Sequence, residues 1–468
     1  MNRDLLRDLG AALAAALLVV IAVSVGTAIE NSDGTLRVNW PPLYARWDPH
    51  LGPGTPAALI VAVAVVGYGP RLAARLRWRA LLGAAWGTAT AWTWSLALVD
   101  GWQRGVAERL TTKYEYLQVI DRFGDIPGTL RDFTHHILID SPDHWPAHVA
   151  GHPPASTLSF VLLDRAGLGG GAWAGTWCIT VGATACVAVL VTVRALAGEA
   201  LARRAAPFLA LSPAAVWMGT SADGYFAAVA AWAVALLALA VTGHRPRLAA
   251  LGSGLLIGLT CYLSYGLTLF ALVAAAVLVL GRHGSPGDGL RDDRPRALRP
   301  SLFLFLVASF AVVPLLFTFA GFNWWEAYRL LVERYYQGAG GIRPYGYWVW
   351  ANLACTVLVV GLATVAGLRR TVVTLVRGRA GVLSRRGAYG GTPDHTAGPR
   401  LALLVLAALA ALLVADLSGM SKAETERIWL PFALWLLPGA AFLTRPRAWL
   451  AAQGVLALLI NHALFTGW

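Results

Sequence analysis

Acidic and histidine side chains are concentrated in one long polar segment, residues 113–154, of a chain that is otherwise strongly apolar. The segment contains Glu115, Asp121, His148 and His152, which are residue types that can move protons or hold a charged substrate. A transporter or a scaffold gains little from such a segment between two membrane helices, whereas an enzyme working at the membrane surface requires one. The sequence therefore predicts a membrane enzyme.

Glu115 is the first candidate for a general base. It lies between Tyr114 and Tyr116 shortly after an apolar run, and partial desolvation there would raise the pKa of its carboxyl group. The alternative is a solvated glutamate beside tyrosines that mark the membrane interface. Asp121 and Asp125 follow closely and compete for the same role, and Tyr116 is a candidate for contact with a substrate.

A possible divalent metal site lies further along the segment. His144, His148 and His152 recur every four residues, so on a continuous helix they would share one face with Asp143 as a carboxylate ligand. A proline and a glycine within this stretch argue against a continuous helix, and the alternative is a polar lining for a substrate cavity. The His-Pro-Pro sequence that starts at His152 would fix this residue at the mouth of the membrane.

Asp223 lies between two apolar runs, at the predicted start of a helix. A carboxylate at this position can simply cap the helix. If it faces inward instead, the cost of burying its charge favours a functional role. Both interpretations remain open from the sequence.

Several cations are candidates for binding a phosphate group. Lys422 and Arg427 precede an apolar run, where positive charge opposes the helix dipole, although Ser421 to Glu424 also fits a capping box. Lys113 and Lys422 are the two lysines of the chain, which is either chance or a sign of a compact phosphate site. A further surface of aromatic and cationic side chains includes Arg334 and Tyr335.

The composition places this chemistry in a membrane. Of 468 residues, 57% are hydrophobic and 13% are charged, and apolar runs of about 20 residues recur throughout. The net charge of +13 comes from arginines in short loops, which orient a protein in the bilayer, so nucleic acid is not an expected partner. The first run, from Leu5 to Ala28, is expected to be an uncleaved helix.

The apolar runs predict an all-α, multi-pass protein of the cell membrane with about 13 spans. Residues 155–167 are too short to cross fully and predict a half-buried or re-entrant helix. The arginine pattern then places four polar segments outside the cytoplasm and two connecting loops, 282–300 and 368–400, inside. The outer segments are 30–55, 100–154, 321–346 and 417–427, and the predicted spans are 8–29, 56–70, 80–99, 172–194, 204–219, 224–243, 249–262, 264–281, 301–320, 347–367, 401–416, 428–443 and 447–466.

These motifs together resemble the GT-C superfamily of membrane glycosyltransferases, such as the protein O-mannosyltransferases and the lipid A aminoarabinose transferases. The similarity includes an acidic residue that opens the long loop, the His-Pro-Pro that closes it, the Leu-Ser-Pro at 211–213, the Ser-x-Asp ending at Asp223 and the pair Glu426-Arg427. It is clearest over residues 80–270. The corresponding division is two additional N-terminal helices in 1–79, a core with its catalytic loop in 80–281, and C-terminal helices in 282–468.

The resemblance implies an enzyme of the cell envelope that uses a polyprenyl phosphate sugar, drawn from membrane lipid, and an extracytoplasmic acceptor. By this resemblance Glu115 is the base, His152 lines the active site, Asp223 is a second acid and Arg427 meets the donor phosphate. The family opens the loop with Asp or Asp-Glu, whereas Tyr114 precedes the glutamate here. The base could therefore act alone, have moved, or be lost, and a lipid or solute transporter or an inactive scaffold remains an alternative.

Overall fold

The computed structural model describes residues 3–281, 300–384 and 394–467, with the side chains of 378–395 left aside. Their regular secondary structure is helical, apart from two short strands, β1 (Ala45–Trp47) and β2 (Leu464–Thr466), which pair antiparallel. The α-helices are α1 (Arg3–Asp33), α2 (Thr55–Arg75), α3 (Trp78–Ala97), α4 (Ile126–Asp132), α5 (Ala147–Ala150), α6 (Ala155–Arg165), α7 (Gly171–Gly182), α8 (Ala185–Ala197), α9 (Glu199–Ala210), α10 (Ala215–Met218), α11 (Ala222–Val241), α12 (Pro246–Leu263), α13 (Phe270–Gly281), α14 (Pro300–Phe319), α15 (Trp324–Gln337), α16 (Ala339–Ile342), α17 (Tyr345–Ser384), α18 (Asp394–Leu417), α19 (Thr425–Ile428), α20 (Leu430–Ala433) and α21 (Pro446–Ala463).

Shorter helical turns connect these elements. A π-helix spans Gln103–Ala107, and 3-10 helices span Leu98–Asp100, Arg109–Thr111, Tyr116–Phe123, Phe133–His136, Tyr265–Leu269 and Leu437–Phe442. Four of these seven lie within the predicted outer segment 100–154, which therefore folds largely into short turns.

Eight helical segments in the described part of the chain are long and apolar enough to cross a membrane. Two shorter apolar segments, Tyr265–Gly281 and Leu430–Phe442, accompany them. The eight are Arg3–Asp33, Thr55–Arg75, Gly171–Ala197, Ala222–Val241, Pro246–Leu263, Pro300–Phe319, Tyr345–Arg377 and Thr396–Leu417. The protein is thus an all-α polytopic membrane protein, and its full set of 13 spans stays a prediction.

Proline explains why two of the predicted spans are interrupted. The predicted span 204–219 is divided into α9 and α10, because the chain turns at Leu211-Ser212-Pro213 and proline cannot donate the next helical hydrogen bond. The predicted span 428–443 forms α19, α20 and a 3-10 helix, with Pro431 and Pro438 inside it. Short apolar runs do not reveal such breaks.

The short helix α6 agrees with the expectation for residues 155–167. Its 11 residues are roughly 16 Å long, which is too short for a hydrocarbon core of roughly 30 Å. Its N-terminus follows the His-Pro-Pro turn, with Pro153 and Pro154 buried ahead of Ala155. This turn leads the chain from the polar segment into the bundle.

The predicted inner loop 368–400 is wrong in its first half, because α17 continues to Ser384 beyond a kink at Gly361. The continuation is stabilised by a fully buried carboxylate on α1: Asp8 forms ion pairs with Arg369 at 2.6 Å and with Arg370 at 2.5 Å. These arginines thus join two helices instead of lying in a loop. The predicted connectors 282–299 and 385–393 lie outside the described residues.

The interior of the bundle is built around α11, whose Ala-rich sequence is buried along nearly its whole length. It packs against α7, α8, α12 and α13, and small side chains allow this close approach of helices in lipid. The N-terminus of α11 lies at the same end of the bundle as the polar segment. The candidate site forms at this end.

Arginine-rich turns lie at the opposite end of the bundle. The α2–α3 turn carries Arg75 and Arg77, and the α11–α12 turn carries Arg245 and Arg247. The α11–α12 turn is separated from the site by the length of a span, because α11 begins at the site and ends just before Arg245. The α2–α3 turn is separated in the same way, because α3 starts at this turn and ends with Ala97 beside Gly219, close to the site.

Candidate active site

Four charged or polar side chains from distant parts of the sequence form one continuous chain of contacts. Glu115 Oε1 lies 3.0 Å from His148 Nδ1, and His148 Nε2 lies 2.8 Å from Arg427 Nη2. Arg427 Nη1 then donates to Asp223 Oδ2 at 2.5 Å. All four side chains are buried, which is unusual for charged groups and is possible here because each has a charged or polar partner. We call these residues the charged cluster.

The hydrogen-bond pattern fixes the tautomer of His148. An arginine guanidinium only donates, so Nε2 of His148 must accept from Arg427. The proton of the neutral ring is then on Nδ1, which donates to the Glu115 carboxylate. The result is a histidine that is oriented by a carboxylate and keeps a lone pair on Nε2.

The structure corrects the expected pKa of Glu115. Burial by itself would raise it, but the adjacent His148 and Arg427 together lower the pKa of this carboxyl group below its usual value. The glutamate is therefore ionised at neutral pH. For Arg427, burial acts to lower the pKa, but Asp223, Glu424 and Glu115 outweigh it and raise the pKa above its usual value.

One interpretation of the sequence, that Asp223 caps α11, is wrong. The N-cap is Ser221, whose Oγ accepts from the backbone N–H of Asp223 at 3.2 Å. The carboxylate of Asp223 is free to turn inward and bind Arg427. The second interpretation, an acid that faces the interior, describes the structure.

Arg427 is held by a strained turn. Ala423 and Glu424 both have left-handed backbone conformations, with φ of 71° and 61°, which are unfavourable for non-glycine residues. Such strain persists where the surroundings impose it, and it is concentrated at functional sites. The expected capping box is wrong, because α19 begins after Glu424 without a side-chain cap.

Neighbouring side chains impose this turn. Arg343 donates to the Lys422 carbonyl at 2.8 Å and lies 3.6 Å from the Glu424 carboxylate. Asn352 donates to the Ser421 carbonyl at 2.7 Å. Glu424 in turn accepts from Arg427 Nη2 at 3.1 Å, so the strained residue contacts the charged cluster directly.

A small cavity adjoins the charged cluster. Its volume is about 10 Å³, which is room for about one water molecule. Glu115, Tyr116, His148 and Arg427 line it, together with Arg109, Leu110, Thr220, Ser221 and Ala222. A sugar or a lipid phosphate does not fit in this closed form, so binding such a substrate requires the surrounding segments to move apart.

Arg109 is a site residue that the sequence reasoning missed. It lines the cavity, is 8% exposed, donates to the Thr466 carbonyl at 2.6 Å and lies 3.1 Å from Asp100. Burial lowers its pKa below the usual value, although Asp100 acts in the opposite direction. No local pattern marks it, because its partners come from Asp100 and from the far C-terminal strand β2.

Two of the predicted residues form the aromatic wall beside the charged cluster. The ring of Tyr116 stacks on Phe160 and lies 6.0 Å from His148 and 5.8 Å from His152. His152 Nδ1 lies 2.8 Å from the His148 carbonyl, and burial lowers its pKa to about 4, so its ring is neutral. Burial also raises the pKa of the Tyr116 hydroxyl well above its usual value.

The other predicted residues lie away from the cavity lining. Asp121 and Lys113 are exposed, and Lys113 lies over the Tyr114 ring. Lys422 Nζ donates to the Gly340 carbonyl, Tyr335 Oη accepts from the Lys422 N–H, and Arg334 donates to the Trp145 carbonyl. The two Lys422 contacts link α15 and α16 to the 417–427 segment, and the Arg334 contact links α15 to the long polar segment, so all three support the site from outside.

The possible metal site of Asp143, His144 and His148 does not form. Asp143 and His144 are exposed, whereas His148 is buried with both ring nitrogens in contact with Glu115 and Arg427. Across residues 3–281, 300–384 and 394–467, no group of three His, Cys, Asp or Glu side chains could hold a metal ion. At the charged cluster, the Arg427 guanidinium lies where a second cation would be repelled.

No protein-family profile and no curated protein matches the chain. Among solved structures it is similar to the oligosaccharyltransferase of Archaeoglobus fulgidus in complex with zinc and sulfate, at 15% identity and a TM-score of 0.37 over 88% of this chain and 52% of that one. The same enzyme tethered with an acceptor peptide matches at 14% identity and a TM-score of 0.41, over 77% and 48%. The chain spans about half the length of that protein.

Proposed function

We propose that this protein is a membrane glycosyltransferase that transfers a sugar from a polyprenyl phosphate to an acceptor outside the cytoplasm. The observation that supports this proposal best is the convergence of Glu115, His148, Asp223 and Arg427 beside one cavity at one end of the bundle. A base and a cation for a leaving phosphate are the two groups that such a transfer requires.

The proposed base is the Glu115–His148 pair. His148 Nε2 has a lone pair that can receive the proton of the acceptor hydroxyl once Arg427 turns away from it. The Glu115 carboxylate, 3.0 Å from Nδ1, would stabilise the imidazolium that forms. Asp121 is exposed and lies outside the cavity lining, so it is no longer a comparable candidate.

Arg427 is the proposed ligand of the donor phosphate. The acceptor oxygen forms a bond to the anomeric carbon as the bond from that carbon to the phosphate oxygen breaks, through an oxocarbenium-like transition state. The electron pair leaves with the phosphate, whose negative charge the guanidinium stabilises. In the closed form Asp223 occupies this guanidinium, and we propose that the phosphate displaces it on binding.

The distribution of arginine supports a site outside the cytoplasm. The turns at Arg75–Arg77 and Arg245–Arg247 lie at the end of the bundle opposite the cavity. Positively charged loops face the cytoplasm in multi-pass proteins. The cavity would then open on the other side, where lipid-linked sugars and envelope acceptors meet.

Transfer from labelled polyprenyl phosphate sugars by the purified protein tests the proposal. Glu115→Gln should slow turnover by about 10²–10⁴-fold in protein that still purifies in the folded form. Asp121→Asn is the matched control, because it removes an exposed carboxylate of the same loop, and it should keep full activity.

Three results would contradict the proposal. Full activity of Glu115→Gln would show that Glu115 is not part of the base. Donor binding without turnover by the wild type would indicate an inactive scaffold. Movement of labelled lipid across vesicles without sugar transfer would indicate a transporter.

A further inference from the structure

An apolar groove lies on the membrane-facing side of the bundle, far from the charged cluster. Its volume is about 400 Å³, within the range of small-molecule sites. Its walls are α2 and α3, and α9 contributes Ala206, Pro207 and Ala210 to its lining. Ile60 and Leu72 line it and are 68% and 51% exposed, so the groove is open to its surroundings.

One end of the groove lies at the α2–α3 turn, and four arginines occupy positions in and beside this turn. Leu76 lines the groove in the α2–α3 turn and has Arg75 before it and Arg77 after it, with Arg71 and Arg79 close by. All four guanidinium groups are exposed, and they form no hydrogen bond or ion pair with the residues that the structure describes. Arginines whose charge has no protein partner are available for an external anion.

A fifth arginine holds this end of the groove in place. Arg203 on α9 donates to the Ala73 carbonyl at 2.7 Å and to the Leu76 carbonyl at 2.8 Å. It is also paired with Glu199 at 2.6 Å. The backbone of the turn is thereby fixed to α9, so this end of the groove is preformed.

We propose that this groove binds an anionic phospholipid, with an acyl chain between α2 and α3 and the phosphate at Arg75 and Arg77. Apolar grooves next to basic turns on the cytoplasmic side recognise anionic headgroups. A second copy of the chain would bring the same four cations together, and a zwitterionic lipid offers no net charge to them. The lipid lies at the opposite end of the bundle from the cavity, so the proposal does not depend on the proposed enzymatic function.

Binding of fluorescent phosphatidylglycerol and phosphatidylcholine to the protein in mixed micelles tests the headgroup. The wild type should bind phosphatidylglycerol at least 10-fold more tightly than phosphatidylcholine. Arg75→Gln with Arg77→Gln should weaken that binding by roughly 30-fold, at about tenfold for each 1.4 kcal/mol and about 1 kcal/mol for each arginine. The matched control is Arg245→Gln with Arg247→Gln, which removes two exposed cations from the same end of the bundle. This control should change the binding of phosphatidylglycerol little.

A pair of glycines on α3 tests the acyl-chain site. Gly87 lines the groove and Gly83 does not, and a Cβ atom at either position would meet nothing within 4 Å. Gly87→Leu should therefore weaken binding of phosphatidylglycerol several-fold, whereas Gly83→Leu should leave it unchanged. Both variants gain the same helix propensity, so their difference reports the groove alone.

Equal affinity for the two lipids would overturn the proposal, as would equal effects of the two arginine pairs. If Gly87→Leu instead converts a dimer to a monomer while lipid binding stays unchanged, the groove is an interface between copies and the proposal is wrong.

Discussion

Glu426 next to the charged cluster predicts a specific dependence of stability on pH. The side chain is fully buried, and its Oε1 accepts a hydrogen bond from the Tyr44 N–H at 2.9 Å. Its Oε2 has no hydrogen-bond partner within the described parts of the chain. Burial raises the pKa of this carboxyl group to about 7. Glu426→Gln keeps the shape and the acceptor for Tyr44 but removes the titration.

The size of the effect follows from the two pKa values of Glu426. The usual value is 4.5 and the value in the folded protein is about 7, so they differ by roughly 2.5. At 1.36 kcal/mol for each pKa unit, ionisation should cost the folded state roughly 3 kcal/mol. Because the folded state has the higher pKa, this stabilisation is fully present below pH 4.5 and is lost as the pH rises through 7.

Equilibrium unfolding in mixed micelles between pH 4.5 and 8.5 measures this effect. The free energy of unfolding of the wild type, relative to that of Glu426→Gln, should fall by roughly 3 kcal/mol over the range. His152, with a pKa of about 4, acts in the opposite direction and cancels because both proteins contain it. Glu333→Gln, at an exposed position on α15, should run parallel to the wild type. If Glu426→Gln also runs parallel, the reasoning from burial is refuted.

Three further predictions concern the fold and the charged cluster. Asp8→Asn should lower the free energy of unfolding by about 3 kcal/mol, because it leaves two arginines of α17 without their buried partner, and a loss under about 1 kcal/mol would contradict this. In a double-mutant cycle, Asp223→Asn and Arg427→Met should show a coupling of at least about 1 kcal/mol, and additive effects would mean that the contact contributes little. Gly361→Ala should destabilise the protein by about 1 kcal/mol or more, since φ is 80° there, whereas Gly67→Ala in α2 should be neutral or stabilising in the same unfolding assay.

The sequence predicted the membrane class and the all-α fold, because apolar runs and polar loops are local properties of the chain. It predicted α6 as too short to cross and Asp223 as an acid at a helix start. It did not predict the interruptions at Pro213 and Pro431 or the length of α17, since proline can lie inside a membrane helix and an Arg-Arg pair resembles a loop.

Within the site, the sequence singled out Glu115, His148 and Arg427 but gave them separate roles. It expected a raised pKa for Glu115, and a histidine at a possible metal site. Both expectations were wrong. His148 instead bridges the Glu115 carboxylate and the Arg427 guanidinium, and the pKa of Glu115 is lowered. Arg109 was not predicted, because both of its partners become neighbours only after folding.

By itself the sequence determined that this chain crosses a membrane many times and carries its ionisable residues in a few polar segments, because bilayer thickness and the cost of burying charge act on every short stretch of chain. Only the tertiary structure decided which of those residues meet. The contact between Asp223 and Arg427 joins positions 204 residues apart. The protonation state of each ionisable group depends on the partner that folding brings to it.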